Sequence, residues 1–106
     1  MAPAAAVFAP AARRDLAAAV AWIARENPRA AGALRDAAVQ AARRIGAHPQ
    51  LGAGRAFLGA ERYRFLPLRG FSYLLVYVAD TTPPRILRVL HMARDLPAAL
   101  GSEIGR

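Results

Sequence analysis

A chain of 106 residues with 56% hydrophobic content is long enough to bury one core and too short for a second. It contains no cysteine and only two histidines, which excludes disulfides and thiolate chemistry and argues against a zinc site built by the protein; we expect no cofactor. The net charge of +8, from fifteen arginines and no lysine against seven acidic residues, favours an acidic partner, either a nucleic acid or an acidic protein.

The first twelve residues are small and apolar, as in an export signal, but their pattern differs from one. Pro3 and Pro10 interrupt the run, and Arg13 and Arg14 follow it, whereas a signal peptide carries its basic residues first. No apolar run in the chain approaches the ~20 residues of a membrane span. We therefore expect a cytoplasmic protein without a membrane segment.

Residues 4–8 form a candidate strand, and a candidate helix follows it. Pro10 suits the first turn of a helix, where its missing N–H is not needed. Apolar residues then recur at helical spacing as far as Asn27, namely Leu16, Val20 and Ile23. The charged residues of this helix are expected to face solvent: Arg13, Arg14, Asp15 and Arg25.

A second helix begins almost without a loop, because Asn27 followed by Pro28 is a cap-and-start signal. Its apolar stripe has spacings of three and four residues: Ala31, Leu34, Ala38, Ala41 and Ile45. The small alanines allow close approach to the first helix or to a sheet. Gly46 and the pair His48–Pro49 end the helix, so we expect a helical hairpin, with His48 as a loop residue.

Three strand-like segments follow the glycine-containing loop of residues 49–60. Residues 62–68 alternate aromatic with basic side chains, residues 71–78 are rich in strand formers, and residues 85–91 contain a buried run. That run comprises Ile86, Leu87, Val89 and Leu90. Breaks at Gly70 and at residues 81–84 favour an antiparallel meander.

The predicted element order is β-α-α-β-β-β, with a short C-terminal helix in residues 96–100. Such an order predicts a single two-layer α+β domain over residues 1–106, in which the helical hairpin packs on one face of a small antiparallel sheet.

Six segments, in this order and spacing, resemble the RelE/ParE superfamily of type II toxins, and in particular its ParE branch. They are FAPAARRDL, WIARENPRAA, AHPQLG, YRFLP, FSYLLVYV and RVLHMARD. The resemblance covers nearly the whole chain, and the last segment is the most telling. It implies a small basic toxin that is neutralised by a tightly bound, acidic cognate antitoxin encoded in the same operon.

The superfamily implies two different activities. The RelE branch cleaves mRNA on the ribosome by attack of the ribose 2′-OH on the neighbouring phosphate, which needs a proton acceptor and cationic stabilisation. For that chemistry Glu61 could accept a proton, Arg64 and Arg69 could neutralise phosphate, and His91 could act as acid or base. The ParE branch poisons DNA gyrase without known chemistry of its own and needs only a surface.

Met92 stands where ribonuclease relatives tend to add a tyrosine or further basic residues, which favours the gyrase alternative. A third alternative is a nucleic-acid-binding domain or inactive relic, with direct nucleic-acid contact. The candidate residues for target or partner binding are Trp22, Arg64, Arg69, Tyr73, His91 and Arg94.

Several of these candidates also have a structural interpretation. Trp22 lies off the apolar stripe of the first helix. It could anchor a partner, or it could form the edge of the hairpin's own packing. His91 shares strand parity with Val89, which predicts a buried-face position with structural hydrogen bonds. Arg94 and Asp95 could cap the last helical turn, with Asp95 as N-cap, and Glu61 could be a solvated residue at a strand start.

Overall fold

Two helices lie on one face of a five-stranded sheet in the computed structural model, which describes residues 3–54 and 62–95. The elements are β1 Val7–Phe8, α1 Pro10–Ala24, α2 Pro28–Ala47, β2 Ala53–Gly54, β3 Tyr63–Pro67, β4 Tyr73–Val78 and β5 Arg85–His91. The strand order is β1-β5-β4-β3-β2. Strand β1 pairs parallel with β5, and the other pairs are antiparallel. The predicted two-layer α+β class is confirmed.

The helical hairpin begins and ends close to the predicted positions. Asn27 caps α2, because its side-chain oxygen accepts the N–H of Ala30 at 3.1 Å, and the helix ends just before His48. Helix α1 ends at Ala24, three residues before the predicted Asn27. Asn27 has φ −147°, which serves the cap of α2 and is incompatible with continuing α1.

The core lies between the hairpin and the sheet. All five residues of the predicted α2 stripe are buried, and Leu34, Ala38 and Ile45 are fully buried. Four of the five, Leu34, Ala38, Ala41 and Ile45, pack in one cluster with sheet residues that face the helices: Tyr73, Leu75, Tyr77, Ile86 and Val89. A smaller cluster on the other face contains Phe65, Leu74, Val76 and Leu90. Strand β4 is therefore buried on both faces, as its unbroken apolar sequence requires.

The sheet departs from the prediction at its edges. The first strand spans Val7–Phe8 rather than residues 4–8, and its pairing with β5 is parallel. The two-residue strand Ala53–Gly54 lies where a loop was predicted and pairs with β3. Two residues are too few for a sequence signal. The predicted helix at residues 96–100 lies outside the described residues.

Strand β5 contains an irregularity that the alternation of its sequence did not predict. Val76 pairs with Arg88 and Tyr77 with Ile86, so Leu87 is an extra residue on β5. Leu87 is consequently only half-buried, contrary to the prediction, while Ile86, Val89 and Leu90 are buried. The irregularity lets Ile86 and Val89, three residues apart, pack in the same cluster against the helices.

Asp15 faces the sheet, which corrects the expectation that it faces solvent. Its carboxylate accepts hydrogen bonds from Arg88 Nε at 2.7 Å and from the Val89 N–H at 3.0 Å. The charge-assisted pair is partly shielded, with side-chain exposures of 33% and 19% for Arg88 and Asp15. It joins α1 to β5 above the core.

The hydroxyl of Tyr77 holds the segment that follows α2. It donates to the carbonyl oxygen of Pro49 and accepts the N–H of Gly52, both at 2.7 Å, and the tyrosine is fully buried. Tyr77→Phe is expected to lower the free energy of unfolding by about 1–3 kcal/mol, because both backbone groups lose their partner. Urea unfolding measures the loss.

Tyr63→Phe is the matched control, since the Tyr63 hydroxyl makes no hydrogen bond within the described part of the chain and its ring is only half-buried. A change below about 0.5 kcal/mol is expected there, as for surface substitutions. Equal losses in the two variants would contradict the role of the Tyr77 hydroxyl.

Candidate partner-binding site

A cleft of about 240 Å³ opens between α1 and the C-terminal end of β5. Helix α1 contributes one wall, formed by Asp15, Ala18, Ala19 and Trp22. The sheet and the turn after it contribute the other, formed by Tyr73, Val89, Arg94 and Asp95. The alanines of α1 are small enough to leave this space open, and the cleft therefore has an apolar floor with charged groups at its rim.

Trp22 separates this cleft from a second depression. Its side chain is 61% exposed, and its other side lines a hollow at the hairpin turn with Arg25, Glu26 and Asn27. The Arg25 guanidinium lies 5.0 Å from the centroid of the indole, a cation–π distance. A large aromatic residue that its own fold leaves uncovered, beside an arginine, has the composition of an interface anchor.

His91 is held by the turn that follows β5. Its backbone N–H donates to Asp95 Oδ2 at 3.0 Å, and its Nδ1 accepts the backbone N–H of Arg94 at 3.1 Å. The imidazole stands edge-on to Tyr73, with centroids 5.1 Å apart. One ring nitrogen is thus already used in a local hydrogen bond, as the structural interpretation predicted, whereas the residue is half-buried rather than buried.

Asp95 closes the same turn. Its carboxylate accepts from Arg94 Nε at 3.1 Å, and its own N–H donates to the His91 carbonyl at 2.8 Å. The hydrogen bond from Arg94 lowers the pKa of Asp95, and the N–H of His91 acts in the same direction while burial opposes them. Asp95 therefore stabilises the turn of residues 91–95, which it ends. The helix that it was predicted to cap lies outside the described residues.

Arg64 lies far from His91. It pairs with Tyr77 on β4, whereas His91 pairs with Tyr73, so the two are separated by four residues along β4, roughly 13 Å, and by two strand spacings. The Arg64 guanidinium is already engaged, since it donates to the Gly52 carbonyl at 2.7 Å and to the side-chain oxygen of Gln50. It fastens the segment after α2 to the sheet.

Arg69 lies in the β3–β4 turn, at the same end of the sheet as His91. The preceding Leu68 N–H donates to the Tyr73 carbonyl at 2.9 Å, and Arg69 itself is exposed. Glu61 is outside the described residues. Of the four candidates for ribonuclease chemistry, two therefore share one end of the sheet, and Arg64 lies towards the other.

Trp22, Tyr73 and Arg94 were predicted as partner-binding residues from the sequence, whereas the other residues that line the cleft were not. Ala18 lies four residues before Trp22 on α1, a spacing that places both on one helix face. The sequence signal for Ala18 was therefore its helical spacing from Trp22, which lies off the apolar stripe of α1. No sequence signal indicated that Val89 lines the cleft, because its place there depends on how α1 crosses β5.

Among residues 3–54 and 62–95, no helix has the length and apolarity needed to cross a membrane.

Comparisons with known proteins agree with this fold. The family model described as ParE toxin of type II toxin-antitoxin system, parDE, matches residues 6–96. A solved structure described as the chromosomal ParDE TA system from P. aeruginosa superposes with a TM-score of 0.68 at 20% identity, covering 86% of this chain and 98% of that chain. At that identity the likeness concerns the fold alone. None of the curated proteins matches.

Proposed function

This chain belongs to the ParE family of type II toxins, and we propose that it acts in the cytoplasm by binding and inhibiting DNA gyrase. The family implies a cognate antitoxin as partner. The ParE match over residues 6–96 is the observation that carries the proposal, because it covers every described helix and strand.

The geometry supports a binding surface rather than a catalytic centre. Arg64 and His91, which ribonuclease chemistry would need together, lie roughly 13 Å apart along β4 alone, and both side chains already hold local backbone. General acid–base catalysis requires its groups within hydrogen-bond reach of one reacting site.

The antitoxin is the proposed occupant of the cleft beside Trp22. The net charge of +8 attracts an acidic chain, and the exposed indole has the cations Arg25 and Arg94 on either side of it. A flexible acidic segment with one apolar side chain would fill the cleft and pair with these arginines as it folds on the surface. Such an interface buries apolar area, so it should persist in salt that screens exposed charge pairs.

The test of the target adds purified protein to gyrase with plasmid DNA and, separately, to translating ribosomes with a reporter message. Loss of supercoiling with an intact message is expected, and the antitoxin should restore supercoiling. His91→Ala should change the inhibition less than tenfold once the folded fraction is matched, since His91 serves the turn after β5. Removing one acid–base group from a nuclease would cost ~10²–10⁴ in rate.

Charge reversal at Arg69 should weaken the inhibition of gyrase in a salt-dependent manner, because Arg69 is exposed and lies at the same end of the sheet as His91. Cuts at codon positions in the message, with supercoiling untouched, would overturn the gyrase assignment in favour of the ribosome-dependent ribonuclease. Absence of both effects, together with normal growth on expression, would favour the inactive relic.

A further inference from the structure

One end of the helical hairpin contains several arginines that have no acidic partner among the described residues. Within residues 3–54 and 62–95 the ion pairs are Arg62–Asp80, Arg88–Asp15 and Arg94–Asp95. Four exposed arginines outside these pairs lie at the beginning of α1 and at the end of α2. We call this set the hairpin patch: Arg13, Arg14, Arg43 and Arg44.

Backbone contacts place the two halves of the hairpin patch together. The Ala6 N–H donates to the Ala42 carbonyl at 2.9 Å, so the chain that leads into α1 runs alongside the last turns of α2. Helix α1 begins four residues later, at Pro10. The arginines of both helices therefore lie at the same end of the domain.

No carboxylate in the described part of the chain forms an ion pair with the hairpin patch. The first turn of α1 contains no acidic residue, and Asp15, the nearest carboxylate in sequence, is turned towards Arg88 and the sheet. The positive end of the α1 dipole adds to the charges of Arg13 and Arg14, where a cation is normally disfavoured. A bound anion would relieve this repulsion.

The chemistry of the hairpin patch differs from that of the cleft. Trp22, the anchor of the cleft, lies eight residues after Arg14 on α1, about 12 Å along the helix, and the patch has no aromatic residue of its own. Protein interfaces take most of their affinity from such anchors. A phosphate backbone requires only cations and N–H donors at its surface.

We propose that the hairpin patch binds the phosphate backbone of duplex DNA. Given the proposed function, on which this step rests, the toxin would hold the DNA segment on which gyrase acts while another surface contacts the enzyme. Binding to DNA itself does not require gyrase and can be measured alone.

The experiment titrates the purified full chain into a fluorescently labelled duplex of about 20 base pairs and follows anisotropy between 50 and 200 mM salt, without gyrase. Four phosphate contacts predict a slope of roughly −3.6 in log K against log salt, a loss of about 10²-fold over this range. The variant R13Q/R14Q/R43Q/R44Q should lose most of the affinity and most of the slope.

The matched comparison uses two variants that each remove two exposed arginines and so lower the net charge equally: R13Q/R14Q in the hairpin patch and the control R29Q/R35Q in the first half of α2. The control should bind at least about tenfold more tightly than R13Q/R14Q at low salt, since its phosphate contacts remain. A second variant, R13E/R14E, introduces acidic side chains near the N-terminus of α1, where the helix dipole favours them. A loss of DNA binding in this variant can therefore not be attributed to unfolding of α1.

Equal losses in the patch and control variants would overturn the proposal, as would a flat salt dependence of the unmodified protein. Displacement of the duplex by poly-glutamate as effectively as by unlabelled duplex would also overturn it, in favour of an acidic protein. Salt-dependent DNA binding that depends on the hairpin patch would stand even if supercoiling were unaffected, so the two proposals can fail separately.

Discussion

Leu34→Ala is expected to lower the free energy of unfolding by about 2–5 kcal/mol, the range for large-to-small substitutions in a core. Leu34 is fully buried in the middle of the α2 stripe and packs in the cluster that joins the hairpin to Tyr77 and Ile86. The substitution removes its buried methyl groups and leaves a cavity that rigid neighbours fill only in part. Domains of this kind are stable by about 5–15 kcal/mol in total, so urea unfolding should show a large shift.

Val39→Ala is the control on the same helix. Val39 is 38% exposed, and its replacement should change stability by less than about 1 kcal/mol, because little apolar area is buried there and alanine is the better helix former. A loss below about 1 kcal/mol for Leu34→Ala would mean that α2 turns a different face to the sheet.

Gly46→Ala is expected to release the N-terminal segment from α2 at a cost of about 1–3 kcal/mol. A Cβ at this position would lie 2.0 Å from the carbonyl oxygen of Ala4 and 2.9 Å from the Cα of Ala5. Both are backbone atoms, so no side-chain rotation relieves the clash. The segment must move, and β1 is attached to it.

Gly32→Ala provides a control of opposite sign, because nothing lies within 4 Å of a Cβ there. In the interior of α2 it should stabilise by roughly 0.5–1 kcal/mol. Hydrogen exchange supplies the local readout: the N–H groups of Val7 and Ala9, which donate to Pro84 and Ile86 on the sheet side, should exchange faster only in Gly46→Ala. Unchanged protection and stability in that variant would show that residues 4–6 do not pack against α2.

The pairing of β1 explains why a glycine near the end of α2 matters so much. Strand β1 has two residues and, in the part of the chain that the structure describes, a single neighbour, β5. Two ladder bonds cannot hold such a strand alone, so the contact of residues 4–6 with α2 supplies the remainder. The hairpin patch lies at this junction, which makes Gly46→Ala an unsuitable background for the DNA-binding test.

Elements with local signals could be predicted from the sequence. Asn27 and Pro28 specify the start of α2 through a hydrogen bond that spans three residues, and the alternation of three and four residues from Ala31 to Ile45 specifies its buried face. The strand-forming residues 71–78 predicted a strand, which the structure contains as Tyr73–Val78, but its burial on both faces was not predicted. The likeness of six short segments to the ParE branch came from the same local information and agreed with the family match.

Features that join distant parts of the chain depend on tertiary packing and could not be predicted from the sequence. Asp15 and Arg88 are 73 residues apart, and each alone is typical of a solvated position. The engagement of Arg64 with Gly52, the displacement of Leu87 by the β5 irregularity and the cleft beside Trp22 depend on strand register and on how α1 crosses the sheet. Capping and periodicity act within a few residues, whereas these contacts form only after the layers have packed, so no local pattern encodes them.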